Sequence, residues 1–168
     1  VLLLVALAVY ILAGVPLVPF HGDEATLIAM SRDVGDLALT GQLERVRFAE
    51  PPPDASRQAL RLLNGTVNTY SMGLAWWLAG FAPDDLNEPW DWGGEWDYNW
   101  SSGHAPSREL LTAARWASAS FLVVGLLAVF ALAWRIGGRP AAWAAAVLFA
   151  LHPALLLNGR RAMMEGSL

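Results

Sequence analysis

Arg135-Ile136-Gly137-Gly138-Arg139-Pro140 separates two apolar runs, 116–134 and 140–159, neither of which carries a formal charge. Each run is close to the ~20 residues a helix needs to cross the hydrocarbon core. The link between them is short and purely basic, so the positive-inside rule puts it on the cytoplasmic side. Working outward, residues 1–22 form a third uncharged run, followed directly by Asp23-Glu24. If all three runs span, Asp23-Glu24 and the segment after residue 158 emerge on the same, external side.

Composition agrees with that reading. Of 168 residues 55% are hydrophobic and 15% charged, and mean hydropathy is +0.38, too apolar for an ordinary soluble domain. Net charge is −4, cysteine and lysine are absent, and no basic tract points to nucleic acid. The expectation is an all-α integral membrane protein. Its parts are transmembrane helix 1 (1–20), an external loop with amphipathic and interfacial helices (21–114), and transmembrane helix 2 (115–135). A cytoplasmic turn (136–139), transmembrane helix 3 (140–158) and the start of a second external segment (159–168) follow. A signal-peptide core is the other reading of the first run. Its length and its passage through Pro16 and Pro19 into the acidic pair favour a retained span. The start at Val1 and the stop at Leu168 read as the N-terminal piece of a longer protein.

Within the long loop, Leu27, Met30, Val34 and Leu37 recur at roughly helical spacing, with Arg32, Asp33 and Asp36 mostly elsewhere. This predicts an amphipathic helix from Asp23 lying along the membrane surface. Residues 62–83 carry no charge but are polar at Asn64–Ser71, which predicts an interfacial helix rather than a fourth crossing. Residues 41–63, with Pro51-Pro52-Pro53, read as polar loop, and residues 84–107 as a second loop rich in Asp, Glu, Gly and Trp. His152-Pro153 is expected to kink or end the third span.

Several residues could carry chemistry. Asp23 and Glu24 fit a helix start; placed at a span end, Asp23 also fits a general base or metal ligand at the mouth of a membrane cavity. Arg160 and Arg161 lie on the external side, where guanidinium forks suit a lipid phosphate. Glu165 follows Arg161 by four residues, as a helix pair or a second acidic site residue. The run Trp90, Trp92, Trp96, Tyr98 and Trp100 reads as an interfacial belt, with sugar stacking as the sharper option. His21 and His104 have no metal-ligand spacing around them. Asn64-Gly65-Thr66 and Asn99-Trp100-Ser101 match the glycosylation-acceptor pattern.

The order of these features resembles a known family: an apolar span, Gly22-Asp23-Glu24-Ala25, a polar loop and a Trp-rich segment. Arg115, a span, a Gly-Gly-Arg turn, a span with late Pro153, and Arg160-Arg161-Ala162-Met163-Met164-Glu165 complete it. It is similar to the N-terminal part of the GT-C membrane glycosyltransferases, of the dolichyl-phosphate-mannose-protein mannosyltransferase and aminoarabinose-transferase type. The resemblance implies a partial GT-C fold and a polyprenyl-phosphate sugar donor, with transfer to a protein, lipid or glycan acceptor on the external face of a bacterial or archaeal plasma membrane. It implies catalytic roles for Asp23, Glu24 and Glu165, beside which Arg160 and Arg161 stand as the phosphate contacts and Asp23 and Glu165 as the ligands of any divalent metal. Members often carry a basic-Pro-Pro or His-Pro-Pro motif before the interfacial helix, where this chain has Asn64-Gly65-Thr66. The alternatives are a degenerate transferase or, from another class, a non-catalytic membrane scaffold or transporter fragment.

Overall fold

The computed structural model describes residues 1–164, which are all-α, with no strand among them. In chain order the helices are α1 (Leu2–Ala13), α2 (Gly22–Met30), α3 (Leu43–Val46), α4 (Ala55–Leu63), α5 (Thr66–Leu78), α6 (Trp96–Ser101), α7 (Arg108–Leu151) and α8 (Pro153–Gly159).

α7 is not one rod. Gly138 has φ +70° and ψ −165°, backbone that a residue with a Cβ adopts only under strain. Beyond it the chain folds back. Phe130 and Trp143 have ring centroids 4.8 Å apart, and a Cβ on Gly125 would stand 3.0 Å from the Phe149 ring. Along a straight helix residues 125 and 149 would be about 36 Å apart at ~1.5 Å rise per residue. The two arms are therefore antiparallel, joined at Gly137-Gly138. Pro140 sits in the first turn of the returning arm, where its missing N–H leaves no helix bond unmade. That arm stops at His152, whose side chain accepts from Leu155 N–H and so starts α8 behind Pro153.

α1 packs against this hairpin. Leu7 and Ile11 meet Leu122, Leu126, Ala146, Ala150 and Leu156 in one apolar core; the alanines let the backbones approach closely. The outer faces stay apolar too, with Val9, Val124, Leu132, Ile136 and Leu148 exposed. Among the described residues α7 is the helix long and apolar enough to cross a membrane, and only 22% of its most apolar window is buried. Leu2–Leu17 together with Gly22–Leu39 meets the same measure only as a pair bent by 104°.

A second core caps one end of the sheaf: Leu27, Ile28 and Met30 of α2, Met72 and Trp76 of α5, and Leu110 and Ala114 of α7, closed by Ala162 and Met163. The sequence pattern predicts α2 as a one-faced surface helix, but seven of its nine residues are buried. The outer apolar face belongs instead to α5, through Val67, Leu74, Trp77 and Leu78.

α4 forms inside a stretch that composition marks as loop. Asp54 Oδ1 accepts the Arg57 N–H at 3.0 Å and the Ser56 hydroxyl at 2.7 Å, an N-cap that starts the helix directly after the proline run. None of its residues is buried, and ion pairs hold it. Arg57 Nη2 bridges Asp33 (2.6 Å) and Asp36 (2.7 Å), while Arg61 grips both carboxylate oxygens of Asp33. Burial disfavours the Arg57 charge, but hydrogen bonds and attraction from Asp36 and Asp33 outweigh it and raise its pKa.

Candidate active site

α2 begins with a reciprocal cap. His21 Nδ1 accepts the Asp23 N–H at 3.2 Å, and Glu24 Oε2 accepts the His21 N–H at 3.0 Å. Successive helix residues point about 100° apart, so the two acids of the pair face different surroundings.

Glu24 turns inward and is fully buried. Its Oε1 accepts from Arg115 Nε (2.7 Å) and the Ala162 N–H (2.8 Å); its Oε2 accepts from Arg115 Nη2 (2.7 Å) and the His21 N–H. Arg115 also donates to the carbonyls of Val15 (3.5 Å), Val18 (3.0 Å) and Pro19 (3.3 Å). All of its N–H groups are thereby used. This pair ties α2 to α7, to the linker after α1 and to the chain after α8. Glu24 has no open lone pair for substrate; its geometry is that of a positioning residue beneath Asp23.

Asp23 turns outward. Its carboxylate is about half exposed and lies 3.3 Å from His21 Nδ1. With Thr26, Leu27, Asn64, Met163 and Met164 it lines a pocket of about 140 Å³. Asn64, at the end of α4, also reaches this pocket. On the far side of His21 the exposed Trp92 ring lies at 5.9 Å. The turn carrying it is braced by Asn99, which is buried and exchanges hydrogen bonds with Asp91 N–H (2.8 Å) and Asp91 carbonyl (2.9 Å). Asn99 is therefore a structural tie, inaccessible as a glycosylation acceptor.

The two arginines diverge as well. Arg160 donates from Nε to the Ile11 carbonyl (2.8 Å) and from Nη2 to the Tyr10 carbonyl (2.6 Å), and its guanidinium lies 5.1 Å over the Tyr10 ring. It caps the end of α1, where terminal carbonyls lack helix partners. Gly14 leaves the room, since a Cβ there would fall 2.1 Å from Arg160 Cζ. Among the described residues Arg161 is bound through Nε alone, to the Pro19 carbonyl at 3.2 Å, with no partner there for its terminal nitrogens. Glu165 lies outside the described residues.

Among the described residues no three His, Asp or Glu side chains converge to hold a metal ion. Asp23 and His21 present two ligand types side by side, and any further ligand from Glu165 falls beyond them. As a carboxylate at a pocket rim beside an aromatic and an amide, Asp23 can accept a proton from a hydroxyl held there. Arg115 enters the sequence pattern only as one mark of family order. That it would pair with Glu24 had no local signal, because the two are 91 positions apart. The chain matches no family model, and no curated protein or solved structure is similar to it.

Proposed function

We propose that this chain supplies the acidic site of a membrane glycosyltransferase of GT-C type, acting on a polyprenyl-phosphate sugar at the external membrane face. The observation that carries the reading is the position of Asp23. Its carboxylate stands open on a pocket where the apolar sheaf ends, while its neighbour Glu24 is fully engaged beneath it. On this reading α1 and the two arms of α7 are three spans, and the cap is the external loop. The outward apolar faces of the sheaf support this, as do Arg135 and Arg139 flanking the hairpin turn.

The chemistry asks little of the protein. The acceptor oxygen attacks the sugar carbon that bears the phosphate, that carbon–oxygen bond breaks with inversion, and the lipid phosphate leaves. Asp23 takes the acceptor proton. Arg161, whose terminal nitrogens have no partner among the described residues, is suited to the departing phosphate. A divalent metal held by Asp23 would supply the same charge stabilisation.

A non-catalytic scaffold is the second reading. It is favoured by the structural employment of Glu24 and Arg160, two of the charges that otherwise mark a site. One experiment separates the two readings: the complete protein is assayed with labelled polyprenyl-phosphate sugars, with and without divalent metal, as wild type and as Asp23→Asn. Transfer by wild type and its loss in the variant support the enzyme. Absence of transfer from every donor, or full activity in the variant, refutes the assignment.

A further inference from the structure

Between α1 and α2 the chain runs across the first turns of α7, leaving a groove of about 360 Å³. Val15, Val18, Phe20 and Leu111 give it an apolar wall, and Arg108 and Arg115 give it charge. It shares no lining residue with the Asp23 pocket.

The two guanidinium groups differ in availability. Arg115 is committed to Glu24 and three carbonyls. Arg108, the first residue of α7, is exposed and its side chain has no hydrogen-bond or ion-pair partner among the described residues. Arg161 joins the same neighbourhood, donating to the Pro19 carbonyl that Arg115 also uses. Arg115 is neutralised by Glu24, and Glu109, next to Arg108 in the chain, is not among the described residues that line the groove, so Arg108 is its uncompensated charge there.

One wall residue of the groove, Phe20, belongs to an aromatic cluster. Phe20 is ringed by Trp90, Trp96 and Trp100 at centroid distances of 5.5, 6.0 and 5.4 Å. Trp96 and Trp100 remain half exposed. Such rings settle at headgroup depth, one side apolar and one side wet. A soluble anion would leave the apolar wall unused, and an uncharged lipid would leave Arg108 unused. We propose that this groove binds a lipid bearing an anionic phosphate headgroup, with the phosphate on Arg108 and the chain along Val15, Val18, Leu111 and Phe20. The proposal rests on the membrane orientation given above but not on sugar transfer.

The test is retention of lipid by the complete, detergent-solubilised protein, read by native mass spectrometry for wild type, Arg108→Gln and Arg108→Lys. The probes are phosphatidylglycerol, polyprenyl phosphate, diacylglycerol and inorganic phosphate. Expected is one retained anionic lipid, reduced about tenfold in Arg108→Gln, as for loss of a charge-assisted bond, and kept in Arg108→Lys. Retention of both anionic lipids identifies a bilayer headgroup site; retention of polyprenyl phosphate alone identifies a donor-type lipid. Equal retention by wild type and Arg108→Gln, equal retention of diacylglycerol, or binding of inorganic phosphate alone overturns the proposal. No sugar transfer is read, so an inactive protein that keeps its lipid refutes only the transferase, and an active one that loses none in Arg108→Gln refutes only the groove.

Discussion

Arg115 and Glu24 meet through two parallel N–H···O bonds of 2.7 Å each, with Glu24 fully buried and Arg115 nearly so. The pair sits where the apolar sheaf meets its cap, and it separates the two acids of Asp23-Glu24 into a buried strut and an open carboxylate.

Removing one partner strands a buried charge, which costs ~3–5 kcal/mol in comparable pairs. Glu24→Gln and Arg115→Met are each expected to lower the thermal unfolding midpoint sharply, and the double variant to cost less than the sum of the two. Single variants that melt with wild type would show that the pair contributes no net stability.

Asp23→Asn is expected to behave in the opposite way. The side chain is half exposed and shape is conserved, so the unfolding midpoint should hold. Transfer should fall by the ~10²–10⁴ associated with a lost general base. A fall in both quantities together would assign Asp23 to the fold rather than to chemistry.

Gly14 and Arg160 form a coupled pair. Gly14→Ala would drive the guanidinium off the end of α1, and Arg160→Ala would remove it. Each should cost about 1–2 kcal/mol through lost carbonyl bonds and the Tyr10 contact. The double variant should cost little more than either alone. Additive losses measured by denaturant unfolding would mean that the two act separately.

At the start of α4 the Arg57 N–H, the Ser56 hydroxyl and the Arg57 charge hold the Asp54 carboxyl below its ordinary value of 3.8, against the opposing effect of burial. A depressed folded pKa gives stability that is present above the ordinary value and is lost as pH falls through the folded one. Hydrogen exchange in 55–63 should therefore quicken as pH drops below about 4 relative to α5, after correction for intrinsic rates. Asp54→Ala should lessen that dependence, since the Asp33 and Asp36 carboxylates also hold α4, and a dependence as steep in the variant as in wild type would reassign it.

Periodicity and charge made the helical class legible, and the Gly-Gly between two apolar runs marked the position of the hairpin turn. Asp23 in the first turn of a helix was legible from its acidic helix-start pattern. What sequence could not show was pairing at a distance. Glu24 and Arg160 look like exposed site charges until a partner 91 or 149 positions away absorbs them. Asp33 and Asp36 likewise read as a solvated face, because nothing local announces that α4 brings Arg57 and Arg61 onto them. α4 itself escaped notice because Pro51-Pro52-Pro53 outweighed the Asp54 cap that follows.

The most direct measurement is sidedness. Since the chain has no cysteine, single cysteines can be set at Ser102, exposed on the cap, and at Ile136, exposed beside the hairpin turn, in an otherwise cysteine-free complete protein. A membrane-impermeant maleimide applied to intact cells should label position 102 and reach position 136 only after permeabilisation. Labelling of both from one side would contradict the account, because the Asp23 pocket and the basic turn could not then lie on opposite faces of the bilayer.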